Sequence, residues 1–244
     1  MRISKTLMTP AFGLTPLATA TLLLASVLTT AGSTQAAVIF QLSAPGVKRS
    51  SLETPTNTET FPTTGIISNS SGTFSIGNYT VTGGASISGG GSPFDSRNLL
   101  SVSPGGAVSI ALNAGVGTAN YLGFYWGGGD AFNKIELYSS NSSVTPVATF
   151  STSTLLSLPG INAYRQSNYF NQPFAYVNMT LSDPNATFSR IVFRQTGGGG
   201  GFEIQNVTVG TFAFEPGTVT PTIPAPGALA LLGVAGLVGT RRRR

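Results

Sequence analysis

Trp126 is the only tryptophan in the chain, and Tyr121, Tyr125 and Tyr138 lie close to it in sequence. Flat aromatic faces stack on the apolar sides of sugar rings, so Trp126, Tyr125 and Tyr138 form one candidate glycan-binding set. Trp126 also shares its strand parity with Leu122 and Phe124, and that parity favours a place in the core. A second set is Asp130 with Asn133, whose oxygens can join loop carbonyls around a Ca²⁺ ion. The same residue types cap turns by binding their own backbone. One carboxylate and one amide fall short of a calcium signature, so capping is the favoured reading.

Paired-carboxylate hydrolysis of glycosides needs the two groups about 5 Å or about 6.5–9.5 Å apart. Along an extended strand Asp130 and Glu136 are ~20 Å apart. Glu136 or Asp183 can meet Glu203 only across strands, and no spacing requires it. His and Cys are absent from the 244 residues. Ser-His-Asp and thiol nucleophiles, Cys/His zinc sites and disulfide frameworks therefore lack their atoms. Gly197 to Gly201 is followed by neither a Gly-Lys-Ser/Thr sequence nor a helical pattern, so it reads as a flexible hairpin tip and not as a phosphate loop. The chemistry points to a non-catalytic protein with no cofactor beyond the weak Ca²⁺ candidate at Asp130 and Asn133.

The elements that must position these residues read as strands. Val108, Ile110 and Leu112 alternate with Ala107, Ser109 and Ala111. The same period of two recurs over 121–126, 133–139, 176–181 and 190–194, with Gly, Asn, Ser and Pro clusters between. No helical stripe of useful length occurs between residues 37 and 220. The pattern predicts an all-β body, an antiparallel β-sandwich or jelly roll. One strand breaks parity: Phe202 and Ile204 share a face, and Val207 and Val209 take the other. Either a bulge near Gln205 or Asn206 restores both sets to the core, or the strand is covered on both faces. The segments 48–64 and 83–98, rich in Gly, Ser, Thr and Pro, read as long loops.

Charge separates the body from the ends. Charged residues are only 9 % of the chain and hydrophobic ones 41 %, a balance too poor in charge for a long-helix protein and too apolar for disorder. The formal net charge is +5, yet between residues 37 and 220 seven cations face eight acids. The excess sits at Arg2 and Lys5 and at Arg241, Arg242, Arg243 and Arg244. A basic nucleic-acid face on the fold is therefore not expected.

At the start, two cations, an apolar run near 17–28 and small residues around Ala36 follow the pattern of a secretory signal peptide. That run of about 12 residues spans only ~18 Å as helix, against a ~30 Å hydrocarbon core. Cleavage by signal peptidase is expected near Ala36 or Ala37. At the other end a Pro/Thr-rich linker leads into thirteen uncharged residues, Gly227 to Gly239, followed by Thr240 and the four arginines. As a helix this run is ~20 Å long, a short stop-transfer segment with its arginines held on the cytoplasmic side.

Pro224-Ala225-Pro226, the hydrophobic run and the arginine cluster, in that order, resemble the PEP-CTERM sorting signal of exported bacterial proteins, with Ala225 in place of the usual glutamate. The resemblance implies recognition and removal of the tail by an exosortase-like membrane protease. The stretch Leu122 to Tyr138, with its Trp-Gly-x-x-Asp-x-x-Asn pattern, and Gly201-Phe202-Glu203-Ile204-Gln205-Asn206-Val207 resemble segments of PEP-CTERM body domains, which implies a jelly-roll-like architecture over roughly 38–212 and no activity.

The expected organisation is a signal helix at 1–36, a β-sandwich at 37–217, a linker with the sorting motif at 218–226, and a membrane helix with the Arg cluster at 227–244. The expected role is that of an exported protein, transiently anchored in the inner membrane of a Gram-negative-type bacterium and delivered to the cell surface or extracellular matrix. That role is structural or matrix-associated, with an exopolysaccharide-binding module as the alternative and no nucleic-acid partner.

Overall fold

The computed structural model describes residues 36, 38–50, 52–54, 56–91, 93–157 and 160–211, together with the backbone of Thr222–Ile223. The expected signal segment up to residue 35, Ala37, the sorting residues Pro224, Ala225 and Pro226, the hydrophobic run and Arg241 to Arg244 lie outside the described residues. Among the described residues no helix is long and apolar enough to cross a membrane.

In chain order the strands are β1 (Val38–Leu42), β2 (Thr58–Glu59), β3 (Gly65–Ile66), β4 (Ser71–Phe74), β5 (Gly77–Thr82), β6 (Ala85–Ser88), β7 (Leu99–Val102) and β8 (Ala107–Leu112). The second half adds β9 (Tyr121–Gly127), β10 (Asn133–Tyr138), β11 (Ala148–Ser151), helix α1 (Thr152–Leu156), a 3₁₀ turn (Ile161–Tyr164), β12 (Arg165–Gln166), β13 (Gln172–Pro173), β14 (Ala175–Leu181), β15 (Arg190–Gln195), β16 (Phe202–Gly210) and β17 (Thr222–Ile223). The five strands whose alternation is plain in the sequence appear as β8, β9, β10, β14 and β15. The second expected long loop carries β6, and the first carries the two-residue β2.

The first sheet runs β17-β1-β14-β9-β16-β7-β6-β3, with β2 also paired to β16. The second runs β11-β10-β15-β8-β5-β4, and β12 with β13 forms a separate hairpin. Every strand pair is antiparallel. The inward residues of both sheets merge into one apolar cluster, as a face-to-face sandwich requires. Phe124 and Phe202 of the first sheet meet Phe193 of the second edge to face, with centroids 5.8 Å apart in both pairs. Each such fully buried ring contributes about 1.5–3 kcal/mol from burial.

The parity break in β16 resolves into both of its alternatives at once. The β16–β9 register shifts between Gln205 and Thr208, and Asn206 takes a left-handed φ of 53°. This bulge returns Val207 and Val209 to the same interior as Phe202 and Ile204, all fully buried. It also marks a change of neighbour: residues 202–204 pair with β7, and Val207 and Thr208 pair with β2. The outward residues Gln205, Asn206 and Thr208 are fully buried too, because loops cover that face.

Asn206 fastens those loops. Its amide nitrogen donates to Lys48 O (2.9 Å) and Asp95 Oδ2 (3.1 Å), and its Oδ1 accepts from Arg97 (3.2 Å). Arg97 pairs in turn with Glu53 (2.8 Å), and Arg49 with Asp95 (2.9 Å). Asn206→Gly, which keeps the left-handed backbone and removes the amide, should lower unfolding free energy in urea by about 1–3 kcal/mol. Asn206→Val should cost more, since a β-branched residue resists positive φ. Wild-type stability in both variants would contradict the role given to this bulge.

Candidate functional site

Strand registers place one set of loops at a common end of the sandwich. Trp126 at the close of β9 faces Ala175 at the start of β14, Leu42 at the close of β1 lies beside Val177, and Asn133 opens β10 opposite Gln195 at the close of β15. The connections 43–49, 128–132, 167–171 and 196–201 therefore gather here, and the residues singled out from the sequence lie at this end or on the two sheets below it.

Trp126 occupies the interior with Leu122 and Phe124, as its parity indicates; none of the three has exposed surface. Its indole Nε1 donates to Asn133 Oδ1 (2.9 Å), Asn133 Nδ2 donates to Gln195 Oε1 (3.3 Å), and Gln195 Nε2 donates to Gly200 O (2.8 Å) and Asp130 Oδ2 (3.3 Å). Asp130 Oδ1 accepts the Phe132 N–H (2.8 Å). Thr152 Oγ1 closes the corner on the carbonyls of Asp130 (2.6 Å) and Asn133 (3.0 Å). A Cβ on Gly127 would meet the Phe94 ring at 2.1 Å, and one on Gly129 would meet the Trp126 ring at 2.1 Å. The Trp-Gly-x-x-Asp-x-x-Asn spacing is thus the recipe for a tight strand-to-strand corner. Asp130 and Asn133 spend their oxygens on N–H donors as caps, and among the described residues no group of three or more His, Cys, Asp or Glu side chains gathers to hold a metal.

The aromatic platform of Trp126, Tyr125 and Tyr138 is not formed, because the three side chains point to different places. Trp126 points into the core. Tyr125, 3 % exposed, lies on the outer face of the first sheet beneath the covering loops. Tyr138 lies on the outer face of the second sheet, with Arg190 stacked over its ring at 3.9 Å and its hydroxyl on Glu136 (3.0 Å). Glu136 also pairs with Lys134 (2.7 Å) and Arg194 (3.2 Å). Burial alone would raise the Glu136 pKa, but these two cations outweigh it and hold the carboxyl below its ordinary range.

On the covered face, three tyrosines act as pins. Tyr121 hydroxyl donates to Asn178 (2.7 Å) and lies 3.0 Å from Ser50 Oγ; Tyr176 donates to Asn206 O (3.3 Å) and Tyr125 to Pro93 O (3.4 Å). Burial, with Asp95 nearby, pushes the Tyr125 hydroxyl up to about 12. For Asp95 burial acts upward, yet the Arg97 N–H, the Arg49 guanidinium and the Asn206 amide prevail and lower it. None of this cover is visible as a local pattern; the parity break in β16 is the one signal that marks where it attaches.

No family model, curated protein or solved structure matches this chain.

Openings remain between cover and sheet. A cavity of about 170 Å³ sits over Tyr125, walled by Pro45, Lys48, Tyr164, Gln166 and Phe174. A larger one of about 420 Å³ lies beside the Arg97–Glu53 pair and is lined by Thr54, Thr58, Thr60 and Ser75. Near the first, Phe94 and Tyr169 pack edge to face on Phe174, at 5.7 and 5.4 Å.

Glu203, which the sequence offers only as one member of an unspecified cross-strand pair, opposes Gly127 on β9 and Ser101 on β7. Alone among the described acids it receives no donor from another residue. Burial, then the charge of Asp130, raises its pKa to about 7 from an ordinary 4.5, against the pull of its own N–H. The folded state therefore holds this proton more tightly than the unfolded chain does. Its contribution to stability is full below about pH 4.5 and is lost as pH rises through about 7. The melting temperature should fall across that window, and Glu203→Gln should flatten the fall. A slope unchanged in the variant would show that another group sets it. Trp126 emission should be blue-shifted and resistant to acrylamide, and a solvent-exposed spectrum would contradict the corner described above.

Proposed function

We propose that the chain is an exported, non-catalytic protein of the cell surface or extracellular matrix, with a jelly-roll-like body and terminal segments that serve as processing signals. The observation that carries this reading is the segregation of charge and hydropathy: cation-tipped apolar ends flank a body in which seven cations face eight acids. The start is cut by signal peptidase near Ala36 or Ala37. The Pro224-Ala225-Pro226 motif, the apolar run and Arg241 to Arg244 hold the protein briefly in the inner membrane, where an exosortase-like protease removes the tail.

The use of the described acids other than Glu203 supports a structural role. Glu53, Asp95 and Glu136 are ion-paired. Glu59 is fully buried and accepts the Phe61 N–H (2.5 Å) and both Ser75 donors, and Asp130 and Asp183 cap turns. The hydroxyl- and amide-rich surface of the body hydrogen-bonds to hydrated polymers without strong ionic attraction. The exopolysaccharide-binding alternative draws its support from the cavity over Tyr125, in place of the Trp126 platform.

Intact mass of the protein recovered from membranes and medium tests the reading. The expected species lacks about the first 36 residues, and the species in the medium also lacks the C-terminal arginines. An uncut chain confined to the cytoplasm would overturn it.

A further inference from the structure

Phe170 is 95 % exposed at the tip of the β12–β13 hairpin, and its backbone is left-handed, with φ 53° followed by 56° at Asn171. A bulky aromatic is a poor choice for that conformation, and an exposed ring forgoes its burial. The fold nonetheless fixes the ring there. Gln172 N–H closes the turn on Tyr169 O (3.0 Å), and Arg165 braces it by donating to Asn171 O (2.6 Å) and Asn162 Oδ1 (3.0 Å). The Tyr169 ring ties the hairpin to Phe174, a wall of the cavity over Tyr125. At 95 % exposure the Phe170 ring gains almost no burial against the described residues to offset that strain.

The cavity at the foot of this hairpin, lined by Gln166 and Phe174 but not by Phe170 itself, states what an occupant offers. Lys48 lines it and donates to Phe94 O (2.8 Å). Among the described residues no carboxylate lies within ion-pair distance of Lys48, since the nearby Asp95 is held by Arg49 and Asn206. An ammonium carries three donors, so two remain for a ligand. The volume of about 170 Å³ admits one pyranose-sized ring. Gln166 and Gly46 at the rim supply hydrogen-bonding groups that an acyl chain cannot use.

We infer that the cavity and Phe170 together bind a uronic-acid-containing polysaccharide, one acidic sugar seated against Lys48 and a neighbouring ring stacked on Phe170. The inference rests on the matrix-associated reading for its setting only. It is tested on purified full chain in solution, so failure to bind leaves the export reading untouched, and failure of export leaves the binding result standing.

The probes are alginate, a polyuronate, and dextran, a neutral glucan, titrated against wild type, Phe170→Asn and Lys48→Gln at two salt concentrations. Asn tolerates left-handed backbone and Phe170 is exposed, so Phe170→Asn should melt at or above the wild-type temperature. Wild type should bind alginate about tenfold more tightly than dextran, and Phe170→Asn should weaken alginate binding by about tenfold. Lys48→Gln should abolish both the preference for alginate and its salt dependence. Absence of alginate binding by wild type, or retention of wild-type affinity by either variant with Trp126 emission unchanged, overturns the assignment. Tighter binding to anionic phospholipid vesicles than to alginate overturns it in favour of a lipid surface.

Discussion

A single left-handed residue in the central strand governs how the rest of this molecule is assembled. Side chains in a strand alternate strictly, so a nine-residue strand that must bury Phe202, Ile204, Val207 and Val209 on one side needs one extra residue between the pairs. Asn206 supplies it. Asn pays less for positive φ than most residues, and its amide is turned outward where the inserted residue breaks the ladder. At the same point β16 exchanges β7 for β2 as its neighbour. The correction of parity and the attachment of the covering loops are therefore one event.

The two faces of the first sheet are held by different physics. Inside, apolar burial and edge-to-face rings from both sheets act without direction, and the single corner at Trp126 fixes their alignment. Outside, the cover depends on directed polar contacts: the Tyr125 hydroxyl on Pro93 O, Gln205 on the Asp95 and Arg97 carbonyls, and two ion pairs. Close approach requires a small residue under it: a Cβ at Gly123 would come within 2.3 Å of the Tyr121 hydroxyl. With no cysteine available, these contacts do what a disulfide does in many exported domains.

The sequence shows the sandwich more clearly than its cover because alternation is local. Val108 and Ile110, or Ile135 and Leu137, declare their strands within six residues, and the parity of Trp126 against Phe124 places it inside. The strands β4 and β6 are spelled Ser-Gly-Thr-Phe and Ala-Ser-Ile-Ser, too polar to stand out from the loops around them. Tyr125 has an outward parity and is nevertheless buried by segments distant in sequence, such as the one that carries Pro93, 32 residues away. The candidate site suffers from the same blindness. Phe170 reads as one of several aromatics between Tyr164 and Tyr176 until the hairpin is closed, and Glu203 reads as half of an unproven pair until Asp130 is brought near it.

The fastening of the cover divides the molecule into two tiers of rigidity. Ionic strength screens Arg49–Asp95 and Arg97–Glu53 and leaves the rings of the interior almost untouched. The described amides of 43–50 and 93–98 are therefore expected to exchange with solvent through partial openings, and those of β9, β14 and β15 only when the whole sandwich comes apart. In brine the lower tier loosens first, and the wall of the Lys48 cavity loosens with it.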